Sequence, residues 1–478
     1  MRLLLSVLAA LAGALPALAA PAAAPLVIAD VTVIPVDTDE VLPGRTVLIR
    51  DGRIVRIDPA KEARIPKGAT VVDGRGKFLV PGFFDAHVHI TARAAAKASR
   101  DPATAALDLP PGYDQAVMLS FLRAGVTSVA NLGGGPVGDG ELLRLREEIA
   151  AGRTAGPRLY IAKRINGPLA GVTEKDLATA PASTIDAPTI AADGAAAVQA
   201  AKAKGYDFIK PYQFLNRQTY AAVVEEAGRQ GFVTTGHLPE LGCSVCADRA
   251  FVFAHPMSNV AHAEELQRYG RETDLAPADI DALADLVKRS GMGVTPTLIT
   301  MKAIQHMQVE REVMPVAPGW SRYLDPVSRL QWTAPANRYL GQPFRDRDGA
   351  HLFSASYDFA RVLTRQLWKR GVPLTVGTDA SLPGLVYGHS VHQEMIELHE
   401  IGLSPVEVLR AASLNGRRLF DPKGDDGAIR PGRRADLVLL GADPLADVRN
   451  VETVEGVVAA GLWRSAAELD RLYEEAAR

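Results

Sequence analysis

Two regimes of hydrophobic patterning divide the chain. Residues 26–35, 46–50 and 53–57 are short runs rich in β-branched residues, and 68–73 gives another. Asp51-Gly52 and Asp73-Gly74 punctuate them as turn dipeptides. From Phe83 onward the pattern changes. Short, nearly continuous apolar runs alternate with longer Ala/Leu-rich stretches of helical period. The spacing predicts helices over 113–124, 140–151, 193–204 and 220–231. It predicts strands over 125–130, 158–162, 207–210, 232–235, 249–255, 293–298 and 373–379. That succession predicts an α/β fold, a (β/α)8 barrel over residues 81–415. Strand patterning returns at 436–440 and 454–459, so both chain ends are expected to build one small β-sandwich domain, from 21–80 and 416–478 with a C-terminal helix. Residues 301–350 interrupt the alternation. With Trp320, Trp332 and Tyr339 amid Pro and Gly, they fit a packing insert and a substrate lid equally well.

Composition narrows the partners. The 478 residues carry a formal net charge of −2, so no basic surplus calls for nucleic acid. Arg2, an apolar stretch over 3–15 and Ala17-Leu18-Ala19 form an export-signal pattern, with cleavage expected near residue 20. No later stretch reads as a membrane span, and the expected location is periplasmic or secreted. The two cysteines, Cys243 and Cys246, lack the further ligands of a zinc knuckle, and in an exported chain a local disulfide between them is a reasonable alternative.

Candidate chemistry sits at the ends of the predicted barrel strands. His87 and His89 alternate, so both imidazoles face one side of a strand. Lys210, His237, His255 and Asp379 each end or follow an apolar run. In a barrel such separated ends converge at one mouth. An ammonium group is no metal ligand, but carboxylation of Lys210 would convert it into an anionic oxygen donor. Four histidines, one modified lysine and one aspartate suit two divalent ions, zinc first by donor type.

These residues, as Asp85-Ala-His-Val-His89, Asp207-Phe-Ile-Lys210, Thr235-Gly-His237, Ala254-His255 and Gly377-Thr-Asp-Ala380, resemble the amidohydrolase superfamily. The resemblance is to the branch with imidazolonepropionase-like and Xaa-Pro dipeptidase-like proteins and ochratoxin-type amide hydrolases. Pro81-Gly82-Phe83 and residues 432–438 extend it over nearly the whole mature chain. The resemblance implies a binuclear centre. His87, His89 and Asp379 would bind one ion, His237 and His255 the other, and carboxylated Lys210 would bridge them. It also implies attack by a metal-bridging hydroxide, with Asp379 shuttling the proton. Relatives often carry an Arg-Asp pair after the second barrel strand, where this chain has residues 129–133, Val-Ala-Asn-Leu-Gly.

Tyr212, Arg164 and His389 are the candidates for substrate contact, each weighed against packing or a surface ion pair. His392 reads as helix packing, and His262, His306, His351 and His399 lack strand-end placement. The leading expectation is an exported hydrolase of a dipeptide or N-acyl amino acid. A lactone or cyclic-amide hydrolase is the enzymatic alternative, and a non-catalytic ligand-binding barrel the alternative of a different class. Relatives of this kind often form homo-oligomers.

Overall fold

The computed structural model describes residues 24–99, 101–133, 136–167, 191–213, 215–239, 248–269, 277–333, 337, 339–340, 354–424 and 427–478. The export-signal residues and Cys243 and Cys246 lie outside the described residues.

The small domain is one eight-stranded, mostly antiparallel sheet drawn from both chain ends. From the N-terminal part come β1 (Leu26–Val33), β2 (Leu42–Arg50), β3 (Arg53–Pro59), β4 (Thr70–Asp73) and β5 (Phe78–Pro81). Its C-terminal strands, β13 (Leu437–Leu440), β14 (Val454–Ala459) and β15 (Leu462–Ser465), join through the β5–β13 pair. Alternate residues of these strands, among them Ile28, Val47, Ile54, Leu79, Leu437 and Val458, form a core of their own.

The barrel wall is a parallel sheet of seven strands in sequence order. They are β6 (Phe83–Val88), β7 (Val126–Asn131), β8 (Arg158–Ile165), β9 (Phe208–Pro211), β10 (Val233–Gly236), β11 (Asn259–Ala261) and β12 (Gly293–Thr295). Residues 374–380 close the ring. Leu374 bridges to Val294 and Ala380 bridges to Val88, both parallel. The closure is hydrogen-bonded: Ala86 N–H donates to Val376 O at 2.8 Å and Asp379 N–H to His87 O at 2.7 Å. All six residues of β6 and of β7 are buried, which is why these strands show no alternation: helices cover the outer face and side chains fill the inside.

The expected helices form over Tyr113–Arg123, Pro136–Ala150, Ala191–Ala203 and Arg217–Gln230, and the C-terminal helix over Ala466–Ala476. One prediction is overturned. The stretch expected as the sixth barrel strand is a helix, Arg249–Ala254, started by Asp248, whose carboxylate accepts the Phe251 N–H at 2.8 Å. The sixth strand is β11, ten residues further on. It is short, and its side-chain ladder is polar: Asn259 Nδ2 donates to Thr235 Oγ1 at 3.0 Å and to Thr295 Oγ1 at 2.7 Å, linking β10, β11 and β12.

Part of the 301–350 insert packs on two helices. Tyr113 Oη donates to Asp325, and Tyr473 Oη donates to Arg322 O, tying the insert to the helices Tyr113–Arg123 and Ala466–Ala476. Among the described residues no helix is long and apolar enough to cross a membrane.

Candidate metal centre

Five of the six expected ligands converge at the C-terminal ends of the strands. His87 Nε2 lies 3.4 Å from His89 Nε2, and both lie near Asp379 Oδ1, at 3.2 and 3.3 Å. Lys210 Nζ is 3.2 Å from His89 Nε2. The His237 ring stands beside that of Tyr212, 4.4 Å between centroids.

The fourth histidine at the mouth is His262, not His255. His262 follows β11 directly, its ring centroid 4.5 Å from that of His87 and 4.8 Å from that of His237. Its Nε2 is 4.0 Å from Asp379 Oδ2. His255 instead ends the helix Arg249–Ala254. Its Nδ1 donates to Phe251 O at 3.0 Å, its ring stacks on Phe251, and its Nε2 faces Glu225 at 3.8 Å. The apolar run before His255 belongs to a helix, so that run does not carry it to the mouth.

A surrounding set of groups fixes the ring nitrogens. His89 Nδ1 donates to Gly133 O at 2.9 Å, which leaves Nε2 with a lone pair. Thr297 uses its own proton on Pro296 O at 2.8 Å, so its oxygen accepts from His262 Nδ1, also at 2.8 Å. His262 Nε2 is therefore left as an acceptor aimed at Asp379. His237 Nδ1 approaches Glu265 Oε1 to 3.0 Å, which turns its Nε2 away from that carboxylate. Partners of this kind orient metal-binding imidazoles. Asp85 is fully buried and acts on the backbone. It accepts the Thr378 N–H at 3.0 Å, the Thr378 hydroxyl at 2.7 Å and the His87 N–H at 3.2 Å. It thereby holds the turn on which Asp379 adopts a left-handed φ of 53°.

Electrostatics keep the donors free of protons. Burial, reinforced by the Lys210 charge, holds His87 and His89 well below the usual histidine pKa. Burial does the same for His262, with His87 adding to it. Burial also pulls Lys210 down to about 7, against the attraction of Asp379. Neutral imidazole lone pairs and a carboxylate thus face one another with few protons to share, a costly arrangement unless a cation lies among them. The donor spacing fits that cation. Tetrahedral zinc with ligands at about 2.0–2.1 Å sets its donors roughly 3.3 Å apart, and the His87, His89 and Asp379 donors stand 3.2–3.4 Å apart. His87, His262 and Asp379 form a potential ligand group on distance alone.

The substrate-contact candidates separate. Arg164 pairs in register with Lys210 across β8 and β9, so the two project to the same side. Its guanidinium lies over the Tyr212 ring at 5.5 Å. These two stay at the mouth. His389 does not: it stacks on Trp320 at 4.7 Å and neighbours His392, which meets the ring of Phe83 edge-on. Phe83 opens β6, about 13 Å along the strand from His87 at the usual rise per residue. Where relatives carry the Arg-Asp pair, Asn131 accepts the Ile90 N–H at 2.8 Å and steadies the loop after His89.

Comparison with known proteins follows the same lines. Residues 356–464 match the model of the amidohydrolase family. The bottromycin amidohydrolase structure superposes with a TM-score of 0.68 at 24% identity, over 94% of this chain and 90% of that one. A Xaa-Pro dipeptidase with bound methionine gives 0.67 at 19%, over 92% and 100%. Ochratoxinase of A. niger gives 0.63 at 17%, over 92% and 95%. Curated relatives match only locally. Adenine deaminase of Rubrobacter xylanophilus is 42% identical over 67 residues, 14% of this chain and 11% of that protein. Dihydroorotase of Anaeromyxobacter dehalogenans is 44% identical over 46 residues, 10% of each. The chain thus spans about a tenth of the length of the curated relatives it matches. Residues 356–464 thus match the amidohydrolase family, and the barrel with its small sheet shares the fold of these hydrolase structures.

Proposed function

We propose that the protein is a metal-dependent hydrolase of an amide bond whose substrate carries a carboxylate, a dipeptide or an N-acyl amino acid. The observation that carries this reading is the convergence of His87, His89, Lys210, His237, His262 and Asp379 at one mouth, with the His89 and His262 ring protons drawn outward by Gly133 O and Thr297. In this reading His87, His89 and Asp379 hold one divalent ion and His237 and His262 hold a second, zinc being the best match to the donors. When bound, such ions polarise a carbonyl and acidify a water molecule. Lys210, neutral for much of the time near pH 7, attacks dissolved carbon dioxide through its amine. A carbon–nitrogen bond forms, the amine loses a proton, and the carbamate, with one negative charge shared over two oxygens, would be an oxygen donor available to the ions.

Asp379 is the proton carrier. Its Oδ1 sits against His87 and His89 at the ring of strand ends, so it receives the proton of the attacking water. It returns that proton to the amide nitrogen as the carbon–nitrogen bond breaks. Arg164, braced on Tyr212, supplies a planar fork for the substrate carboxylate. That fork favours a carboxylate-bearing amide over a lactone. The leader-like first twenty residues support export to the periplasm or beyond.

The test is hydrolysis of a dipeptide and N-acyl amino acid panel by metal-stripped and zinc-reloaded protein. Turnover restored by metal, and lowered about 10²–10⁴-fold in Asp379→Asn, supports the reading. Metal binding with turnover only of lactones or cyclic amides moves the substrate class. A protein that takes up no metal in the presence of bicarbonate is the ligand-binding alternative.

A further inference from the structure

A second group of nitrogen and oxygen donors lies outside the mouth. His389 and His392 stand one turn apart on the helix His389–Glu400, on the same face. Glu452 reaches them from the turn Val448–Glu452, which leads into β14 of the small domain. One ligand atom from each of the three lies within 4.8 Å of the other two.

The His392 tautomer is fixed by its surroundings. His392 Nε2 donates to Ala124 O at 2.7 Å, so its Nδ1 carries the lone pair. That Nδ1 is buried and has no hydrogen-bond partner. His389 Nε2 is likewise buried without a formed hydrogen bond, standing 3.5 Å from Glu452 Oε1. The two imidazoles are 2% and 0% exposed, so the unpartnered His392 nitrogen has given up water without gaining a partner in its place. Helix packing, the simplest role for a buried histidine, does not explain a partnerless His392 Nδ1 in a group with His389 and Glu452. Trp320 roofs the group, its ring 4.7 Å from that of His389, and the Arg123 guanidinium lies 5.8 Å from the Trp320 ring centroid. The Glu452 side chain is 42% exposed, which leaves a route in from solvent.

We propose that His389, His392 and Glu452 form a structural binding site for one divalent transition-metal ion, separate from the mouth, that clamps the small domain onto the barrel. Two imidazoles and one carboxylate select zinc, nickel or copper over calcium or magnesium, which prefer all-oxygen sites. The Ala124 carbonyl is the outer partner that sets the His392 tautomer. The ion ties a barrel helix to the turn before β14, so it stabilises the folded chain by mass action.

The test uses the full chain, stripped with a chelator and re-equilibrated with zinc, and counts zinc per chain by elemental mass spectrometry. Wild type is expected to hold one equivalent more than Glu452→Gln and one more than His389→Ala. Copper is expected to quench part of the tryptophan fluorescence of wild type. That part disappears in Trp320→Phe, and in Glu452→Gln it needs at least about tenfold more copper. The Glu452→Gln change is at a half-exposed side chain, so it reads out even where His389→Ala folds poorly. Equal zinc content and equal quenching in wild type and Glu452→Gln overturn the proposal. Neither measurement depends on hydrolysis.

Discussion

His262→Ala and His255→Ala should separate cleanly, because the two residues have exchanged the places their neighbourhoods suggest. His262 is 4% exposed and presents Nε2 toward Asp379, with Nδ1 anchored on Thr297. Losing an outer partner of a metal-bound histidine costs about 10–100-fold in affinity. Losing the ligand itself should exceed the upper end of that range, at least about 3 kcal/mol. The fold should lose less, about 1–3 kcal/mol for one buried hydrogen bond and a small cavity. The His255 side chain makes one partly exposed hydrogen bond, to Phe251 O, one stacking contact and a 3.8 Å approach to the exposed Glu225. Removing it should cost about 0.5–1.5 kcal/mol of stability and no metal. Metal content after exhaustive dialysis, with thermal unfolding of the same samples, reads both quantities. A His255→Ala protein that loses metal while His262→Ala retains it would refute the assignment.

The remaining expectations concern how the mouth is supported. Zinc uptake at a fixed level of dissolved carbon dioxide should quicken about tenfold from roughly pH 6 to pH 8 and then level off, because only the neutral Lys210 amine reacts and its pKa is near 7. A rate that keeps climbing through pH 9 would point to an ordinary lysine. Glu265→Gln should weaken metal binding or turnover about 10–100-fold with little change in unfolding temperature, measured by zinc competition, since Glu265 meets His237 at 3.0 Å. Gly377→Ala should destabilise the fold by about 1–3 kcal/mol in denaturant titrations. Its added Cβ would meet Thr295 Cγ2 at 2.4 Å and His87 Cβ at 2.9 Å, so metal affinity should fall with it. An alanine variant as stable and as tightly loaded as wild type would show that the barrel gives way there more easily than its packing suggests.

Much of this protein is determined by its sequence alone. Strand and helix periods, with Gly and Pro at the turns, are local signals, and they set the alternation that makes a barrel flanked by a small sheet. His87, His89, Lys210, His237 and Asp379 are legible because each ends or follows a run that builds the barrel wall. His262 is not. Its strand is three residues long, and Asn259 breaks the apolar run that would have marked it. His255 misled because Phe251-Val-Phe-Ala is as apolar as a buried strand, while the signal that makes it a helix is a single cap at Asp248. The tertiary structure alone decided that Asp85 holds the Thr378 turn, 293 residues away, that Thr297 and Gly133 set the ring tautomers, and that His389 looks to Glu452 rather than to substrate. Periodicity reports which side of its own element a residue faces. Which nitrogen it presents, and to what, depends on partners brought close only by closing the barrel.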